Sequence, residues 1–377
     1  MKKLSLLEWA AVALAAAAFI FFLDRSILSK ETVNLRPQEP KPPFPYYQEN
    51  VTFENPGARI KLAGTLTLPA REGKFPAVVL ISGSGPQNRD EEILGHKPFL
   101  VIADYLTRHG IAVLRFDDRG THRSQGNFAT ATSEDFSTDA ESGVAYLKTR
   151  KEINPRQIGL AGHSEGGIVA PMVAARSRDV AFMILLAAPA MQLDTLLLLQ
   201  QVTLYRILKL PEAEIQRSRK AMAGALAIVT GSTNPATLRR ELTSYIKANP
   251  DSLSAFAAPQ MTMEQAQNLT INLLATPWSR YLLTYNPMPA LEKSACPILA
   301  LNGEKDYQVP PKENLAGIAT ATQKSGNKNV KLVQLAGLNH LFQECQTGSN
   351  EEYQRITQTF SPVALKEMSD WIIQITR

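Results

Sequence analysis

Beyond residue 50 the chain is written in two rhythms. In the first, short apolar runs alternate with longer mixed stretches. Runs near 51–54 and 60–68 come first, then Phe75-Pro76-Ala77-Val78-Val79-Leu80-Ile81, and further runs at 111–116, 157–161 and 180–188. Apolar runs without alternation suit strands that are covered on both faces. The stretch at 134–149 reads as a helix, with Ser133 as its cap. Regular strand–helix alternation predicts an α/β fold with a mostly parallel sheet and helices on both faces. The second rhythm fills 191–285, where Leu196-Leu197-Leu198-Leu199 and Ile271-Asn272-Leu273-Leu274 suggest helices without strands. Strands resume with Pro297-Ile298-Leu299-Ala300-Leu301-Asn302 and again at 329–335. The block between is predicted to be a helical cap that encloses a ligand and excludes water.

The N-terminal part is different. Lys2-Lys3 precede an apolar stretch at 4–23 broken only by Ser5 and Glu8. Its length matches the roughly 20 residues that span a bilayer. The small residues Ala15-Ala16-Ala17-Ala18 lie mid-run and Phe19-Ile20-Phe21-Phe22-Leu23 follow, whereas a signal-cleavage site needs small residues after the apolar core. The reading is an uncleaved membrane anchor with the lysines cytoplasmic and the remaining chain extracytoplasmic, on the periplasmic or extracellular face. Secretion after signal cleavage is the alternative. Residues 1–25 are thus assigned to this anchor or signal segment and 26–48 to a linker stiffened by Pro37, Pro40, Pro42, Pro43 and Pro45. Residues 49–377 form the catalytic-sized domain, with its cap at about 191–285.

Apolar residues make up 44 % of the 377, ample for one large core. A net charge of +5 without a long basic run excludes a nucleic-acid partner. No residues show metal-ligand spacing and no phosphate or dinucleotide loop is present, so neither a metal nor a cofactor is expected. Cys296 should begin its strand while Cys345 lies near the opposite end of the sheet, a separation that argues against a disulfide. Arg217, Arg219 and Lys220 read as a solvated helix face.

The chemistry concentrates in Gly162-His163-Ser164-Glu165-Gly166-Gly167, between a strand-like and a helix-like run. A serine on so sharp a turn projects its hydroxyl clear of both elements, and side chains at Gly162 and Gly166 would collide across it. The amides opening the following helix, Glu165 among them, point toward negative charge developing beside Ser164. A serine nucleophile needs a base held by a third group. Of five histidines, His163 lies inside the turn, His109 ends a surface helix, and His96 and His122 sit in loops before the turn. His340 remains, in a loop after a strand. Asp306 and Glu304 both follow the strand at 297–302 and either can supply the carboxylate; Gly303-Glu304-Lys305-Asp306 places Asp306 past the turn and favours it.

The order Ser164, Asp306, His340 resembles that of the α/β-hydrolase superfamily. The resemblance covers roughly 50–377 and is carried by Gly162–Gly167, Leu301-Asn302-Gly303-Glu304-Lys305-Asp306, Asn339-His340-Leu341-Phe342-Gln343 and Ser82-Gly83-Ser84-Gly85-Pro86. The last looks like the oxyanion loop of a bacterial serine carboxylesterase branch related to the serine aminopeptidase-like hydrolases. The resemblance implies an α/β-hydrolase fold and an oxyanion hole from the backbone N–H groups of Glu165 and Ser84, with Gly83 the alternative to Ser84. It also implies a serine esterase that cleaves a small-molecule carboxylic ester through an acyl-enzyme. A peptidase of the aminopeptidase-like branch, with Glu165 holding a substrate amine, and a silent binding module on the same fold are the alternatives. Relatives usually carry a second glycine where this chain has His122-Arg123, and Arg89-Asp90 reads as a structural pair that shapes the oxyanion loop.

Overall fold

The structure, a computed structural model, describes residues 36–250 and 262–377. Eight strands form one sheet: β1 (Tyr47–Asn55), β2 (Ile60–Leu68), β3 (Phe75–Ile81), β4 (Ala112–Phe116), β5 (Ile153–His163), β6 (Phe182–Leu186), β7 (Ile298–Gly303) and β8 (Val330–Leu335). Their order is β1-β2-β4-β3-β5-β6-β7-β8. The pairs β1–β2 and β2–β4 are antiparallel and every later pair is parallel. This is an α/β-hydrolase fold with a helical cap. The continuous apolar runs have the predicted cause: β4, β6 and β7 are buried at every position. One face packs against Ala140, Val144 and Val169, the other against Ile102, Leu365 and Ile372.

Register decides where chemistry can occur. Ile81 pairs with Gly162, His163 with Leu186, Leu186 with Leu301, and Gly303 with Leu335. The C-terminal ends of β3, β5, β6, β7 and β8 are therefore nearly flush, and the loops leaving them share one edge. Open parallel sheets bind ligands at that edge because loops there converge.

Between β6 and β7 the described chain is helical, with helices Leu193–Ile207, Glu212–Gly231, Pro235–Ala248, Met263–Leu274 and Pro277–Thr284. Their apolar faces form a core of their own, including Leu204, Tyr205, Leu226, Leu242 and Ile246, which joins Ile168 and Met172 of the helix after β5. The cap is thus seated on the element that follows the sharp turn. The helix predicted at 134–149 runs Ser133–Lys148, and Thr132 caps it in place of Ser133. Thr132 is extended and exchanges hydrogen bonds with Asp135, while Ser133 is already helical and its hydroxyl is used elsewhere. Cys296 and Cys345 are both free and partly buried.

The membrane expectation requires correction. Among the described residues no helix is long and apolar enough to cross a membrane. The longest described helix, Glu212–Gly231, has the length of a span but carries Glu212, Glu214, Arg217, Arg219 and Lys220, as an amphipathic surface helix does. The stretch at 4–23 lies outside the described residues. Transmembrane and signal segments, a membrane partner and an extracytoplasmic anchored location are accordingly withdrawn. The described part of the Pro-rich segment lies against the domain: Arg36 donates to the carbonyls of Ile356 and Leu94, Gln38 to that of Phe360, and Tyr46 to Asp104.

Candidate active site

Ser164 follows β5 directly and takes φ +51°, the left-handed region that is costly for a side-chain-bearing residue. Its backbone N–H donates to Leu186 O at 2.8 Å, tying the turn to β6. The glycines are sterically required. A Cβ on Gly162 would sit 2.0 Å from Gly166 O, and one on Gly166 2.2 Å from Ile81 O. Ser164 lines a cavity of about 190 Å³, roofed by cap residues and shared with His340.

His340 arrives on the loop after β8. That loop lies so close to the end of β7 that a Cβ on Gly303 would meet Leu338 O at 2.3 Å. Its Nδ1 is 2.8 Å from Asp306 Oδ2. A carboxylate only accepts, so Nδ1 carries the proton and Nε2 is left as a lone-pair acceptor. Asp306 is itself fixed: Oδ1 accepts from the N–H groups of Gln308 and Val309, both at 2.9 Å, and Oδ2 accepts from Asn302 Nδ2 at 3.2 Å. Glu304, the alternative acid, is exposed and accepts from the Gly337 N–H instead. Among the described residues no hydrogen bond yet joins Ser164 Oγ to His340, a looseness common before substrate binds.

The oxyanion loop separates its two candidate amides. Gly83 N–H donates to Glu91 Oε1 at 2.6 Å, so it is already engaged. The N–H groups of Ser84 and Glu165 have no such partner among the described residues, and both residues line the cavity.

Two buried acids stand beside Ser164, and of these Glu91 was not legible as a site residue. Glu91 bridges Gly83 N–H and His163 Nδ1, the latter at 2.9 Å, while His163 Nε2 donates to His340 O at 3.0 Å. Burial alone would depress the His163 pKa, but Glu91, the His340 carbonyl and Asp306 together raise it above the ordinary value, favouring the imidazolium that both bonds require. His163 thus links the oxyanion loop to the backbone of His340. Only the charge cluster after the loop hinted at Glu91, whose backbone takes φ +50°. Glu165 accepts from Ser133 Oγ at 2.6 Å and from Trp278 Nε1 at 2.9 and 3.0 Å. Its burial raises its pKa, against hydrogen bonds from Ser133, Trp278 and Ser84. Trp278 stands 113 positions away on the cap, and nothing local marks it as a partner.

Other residues singled out in the sequence fall outside the cavity. His122 and Arg123 are exposed, although His122 takes φ +44°. Arg89 and Asp90 shape the loop, though not by pairing with each other: Arg89 grips Asp117 at 2.6 Å, and Asp90 pairs with buried Arg115. His96 is buried between Thr359 Oγ1 and Tyr353 O, and burial pushes its pKa down to about 4.

Residues 97–344 match the model of the family described as serine aminopeptidase, S33. The curated relative Esterase EstD of Thermotoga maritima is 26 % identical over 300 residues, 79 % of this chain and 62 % of that protein, so the match spans less than two thirds of EstD. Among solved structures, the α/β hydrolase GrgF from Penicillium sp. sh18 aligns with a TM-score of 0.53 at 18 % identity, covering 87 % of this chain and 98 % of GrgF. The Pyrococcus furiosus esterase PF2001 aligns at 0.51 with 17 % identity, covering 89 % and 92 % respectively. These structural likenesses bear on the fold, while the family match spans well over half of the sequence: this chain belongs to the S33 serine aminopeptidase family of α/β-hydrolases.

Proposed function

We propose that this chain is a serine acyl hydrolase acting on carboxylic esters with an apolar acyl group. The observation that carries the reading is a serine at φ +51° on a glycine-bound turn, lining an apolar cavity together with a histidine whose far nitrogen is held by a buried aspartate. In this reading Ser164 Oγ attacks the carbonyl carbon as His340 Nε2 takes its proton. Asp306 holds the imidazole tautomer and stabilises the imidazolium. The N–H groups of Glu165 and Ser84 receive the oxyanion, where loss of one donor costs roughly 10²–10³ in turnover. His340 returns the proton to the leaving alcohol, and water then releases the acyl-enzyme by the same steps. The cavity, about 190 Å³, exceeds the ~150 Å³ that accommodates a benzene ring, so a short-to-medium acyl or aryl group fits.

The second reading is the aminopeptidase one, and the family match, by its description, favours it over an esterase. It needs a carboxylate free to hold a substrate ammonium. Both acids lining the cavity are occupied: Glu91 by Gly83 and His163, Glu165 by Ser133 and Trp278. An ammonium would have to displace Trp278 from Glu165. That occupancy is why esters are placed first.

The deciding experiment pairs p-nitrophenyl acyl esters with amino-acid p-nitroanilides, each anilide also offered with its amine acetylated. Ester hydrolysis, with anilides slow and indifferent to acetylation, supports the esterase. Anilide hydrolysis abolished by acetylation establishes the peptidase in its place. A fluorophosphonate that labels the wild type but not Ser164→Ala tests the nucleophile in either case.

A further inference from the structure

The cavity above Ser164 is apolar over most of its roof, where Leu193, Leu196, Leu197 and Met222 contribute. Among the polar side chains there, two adjacent amides stand out. Gln200 and Gln201, consecutive on the cap helix Leu193–Ile207, both line the cavity and are 6 % and 1 % exposed. Gln201 Nε2 donates to Ser218 Oγ at 3.1 Å, yet its Oε1 is buried without a partner. Exchanging the amide oxygen and nitrogen would only move the vacancy, because one amide atom faces Ser218 and the other faces no partner among the described residues. The Gln200 side chain makes no hydrogen bond among the described residues. Buried polar groups are nearly always satisfied, so the open Gln201 acceptor, next to a second amide in an apolar wall, calls for a partner that arrives with the ligand.

We propose that Gln200 and Gln201 form a polar subsite for a hydroxyl group carried on the acyl chain, so that the preferred substrates are esters of hydroxylated rather than plain medium-chain acids. A hydroxyl donates once and accepts twice, matching the acceptor that Gln201 leaves open and the donors and acceptor of Gln200. A carboxylate in that position is disfavoured, because among the described residues no lysine or arginine lines the cavity to neutralise it. The proposal rests on the acyl-hydrolase reading and deepens it by naming the substrate class.

Two measurements test it separately from that reading. The first compares kcat/KM for medium-chain fatty-acid methyl esters with and without a hydroxyl at successive positions beyond the δ carbon. In the wild type the best-placed hydroxyl should raise kcat/KM roughly tenfold or more, since a site built to hydrogen-bond a hydroxyl rejects the analogue lacking it. In Gln200→Met, Gln201→Met and the double variant that ratio should fall toward one. A hydroxyl preference that survives the double variant, or none at any position, overturns the subsite. The second titrates the same ester pairs into full-length Ser164→Ala, which retains both amides and does not depend on turnover or on the Met variants folding. Tighter binding of the hydroxy ester, by about tenfold, supports the subsite even if the wild type proves to hydrolyse no ester. Equal affinities across the series overturn it.

Discussion

The floor and the roof of the cavity follow opposite rules. On the floor almost every polar atom near Ser164 is engaged: Asp306 accepts four hydrogen bonds, and Glu91 and His163 form a chain from Gly83 N–H to His340 O. The roof is a small hydrophobic core of leucines and aromatics, tied to the floor through Trp278–Glu165 and Tyr281–Glu134. The difference follows from what each must do. Acyl transfer requires the nucleophile, base and oxyanion donors to be held to a fraction of an ångström, which directional bonds in a buried setting achieve. An acyl pocket needs shape and dryness, which apolar packing supplies with little directionality. Floor substitutions should therefore strike kcat, and roof substitutions KM and selectivity.

The largest effect belongs to the three floor residues proposed to carry the chemistry. Ser164→Ala, His340→Ala and Asp306→Asn should each lower kcat by about 10⁴-fold or more, with circular dichroism and melting temperature little changed. Glu304→Gln should stay within about twofold. Near-normal turnover in Asp306→Asn, with loss in Glu304→Gln, would reassign the acid.

A pH-dependent loss of stability should come next. His96 is held neutral beneath the His340 loop, between Tyr353 O and Thr359, with Gln343 Nε2 also 3.2 Å away. Its pKa is lowered by burial from 6.5 to about 4, so the folded state binds fewer protons than the unfolded one in that window. Its contribution is fully present above pH ~6.5 and is lost as pH falls toward 4, an effect of about 3 kcal/mol. Urea midpoints measured between pH 7.5 and 4 should show this slope in the wild type and lose most of it in His96→Gln.

Glu91 sharpens the claim that the floor is an orienting network. Glu91→Ala frees Gly83 N–H and removes the anion beside His163, and should cost about 100-fold in kcat with little change in KM. Glu91→Gln still offers an oxygen to Gly83 and should recover part of that loss. If both variants move KM alone, Glu91 belongs with substrate binding.

The smallest effect lies where floor and roof meet. Trp278→Phe keeps the ring but removes the N–H that Glu165 accepts, so KM should rise several-fold while kcat falls less than threefold or so. A collapse of kcat comparable with Glu91→Ala would place Trp278 functionally on the floor. An ordinary KM would show that the cap is held by its apolar core alone.

How much of this was legible beforehand varies by element, for physical reasons. Strands buried on both faces announced themselves as unbroken apolar runs, and β3, β4, β6, β7 and β8 fell within a few residues of their predicted positions. The cap was legible as an interruption of that rhythm. The sharp turn was legible because its geometry admits almost nothing but glycine two positions to either side of Ser164. The membrane expectation failed because it rested on a stretch outside the described residues, and no described helix replaces it.

Local covalent constraint and hydrophobic periodicity thus determined, from the sequence alone, which segments are strands, where the chain must turn tightly, and which serine sits on that turn. They also narrowed the acid to Asp306 or Glu304, residues whose local patterns are alike. The placement past the turn already favoured Asp306, and only the tertiary structure shows it buried against His340 with Glu304 left in solvent. The same is true of the Glu91–His163 chain, the Trp278–Glu165 tie and the open Gln201 acceptor of the cap. Each depends on groups far apart in the chain being brought together in a low-dielectric interior. There, the strength of a polar contact is set by burial and by the partner across the gap, neither of which is written in the neighbouring residues.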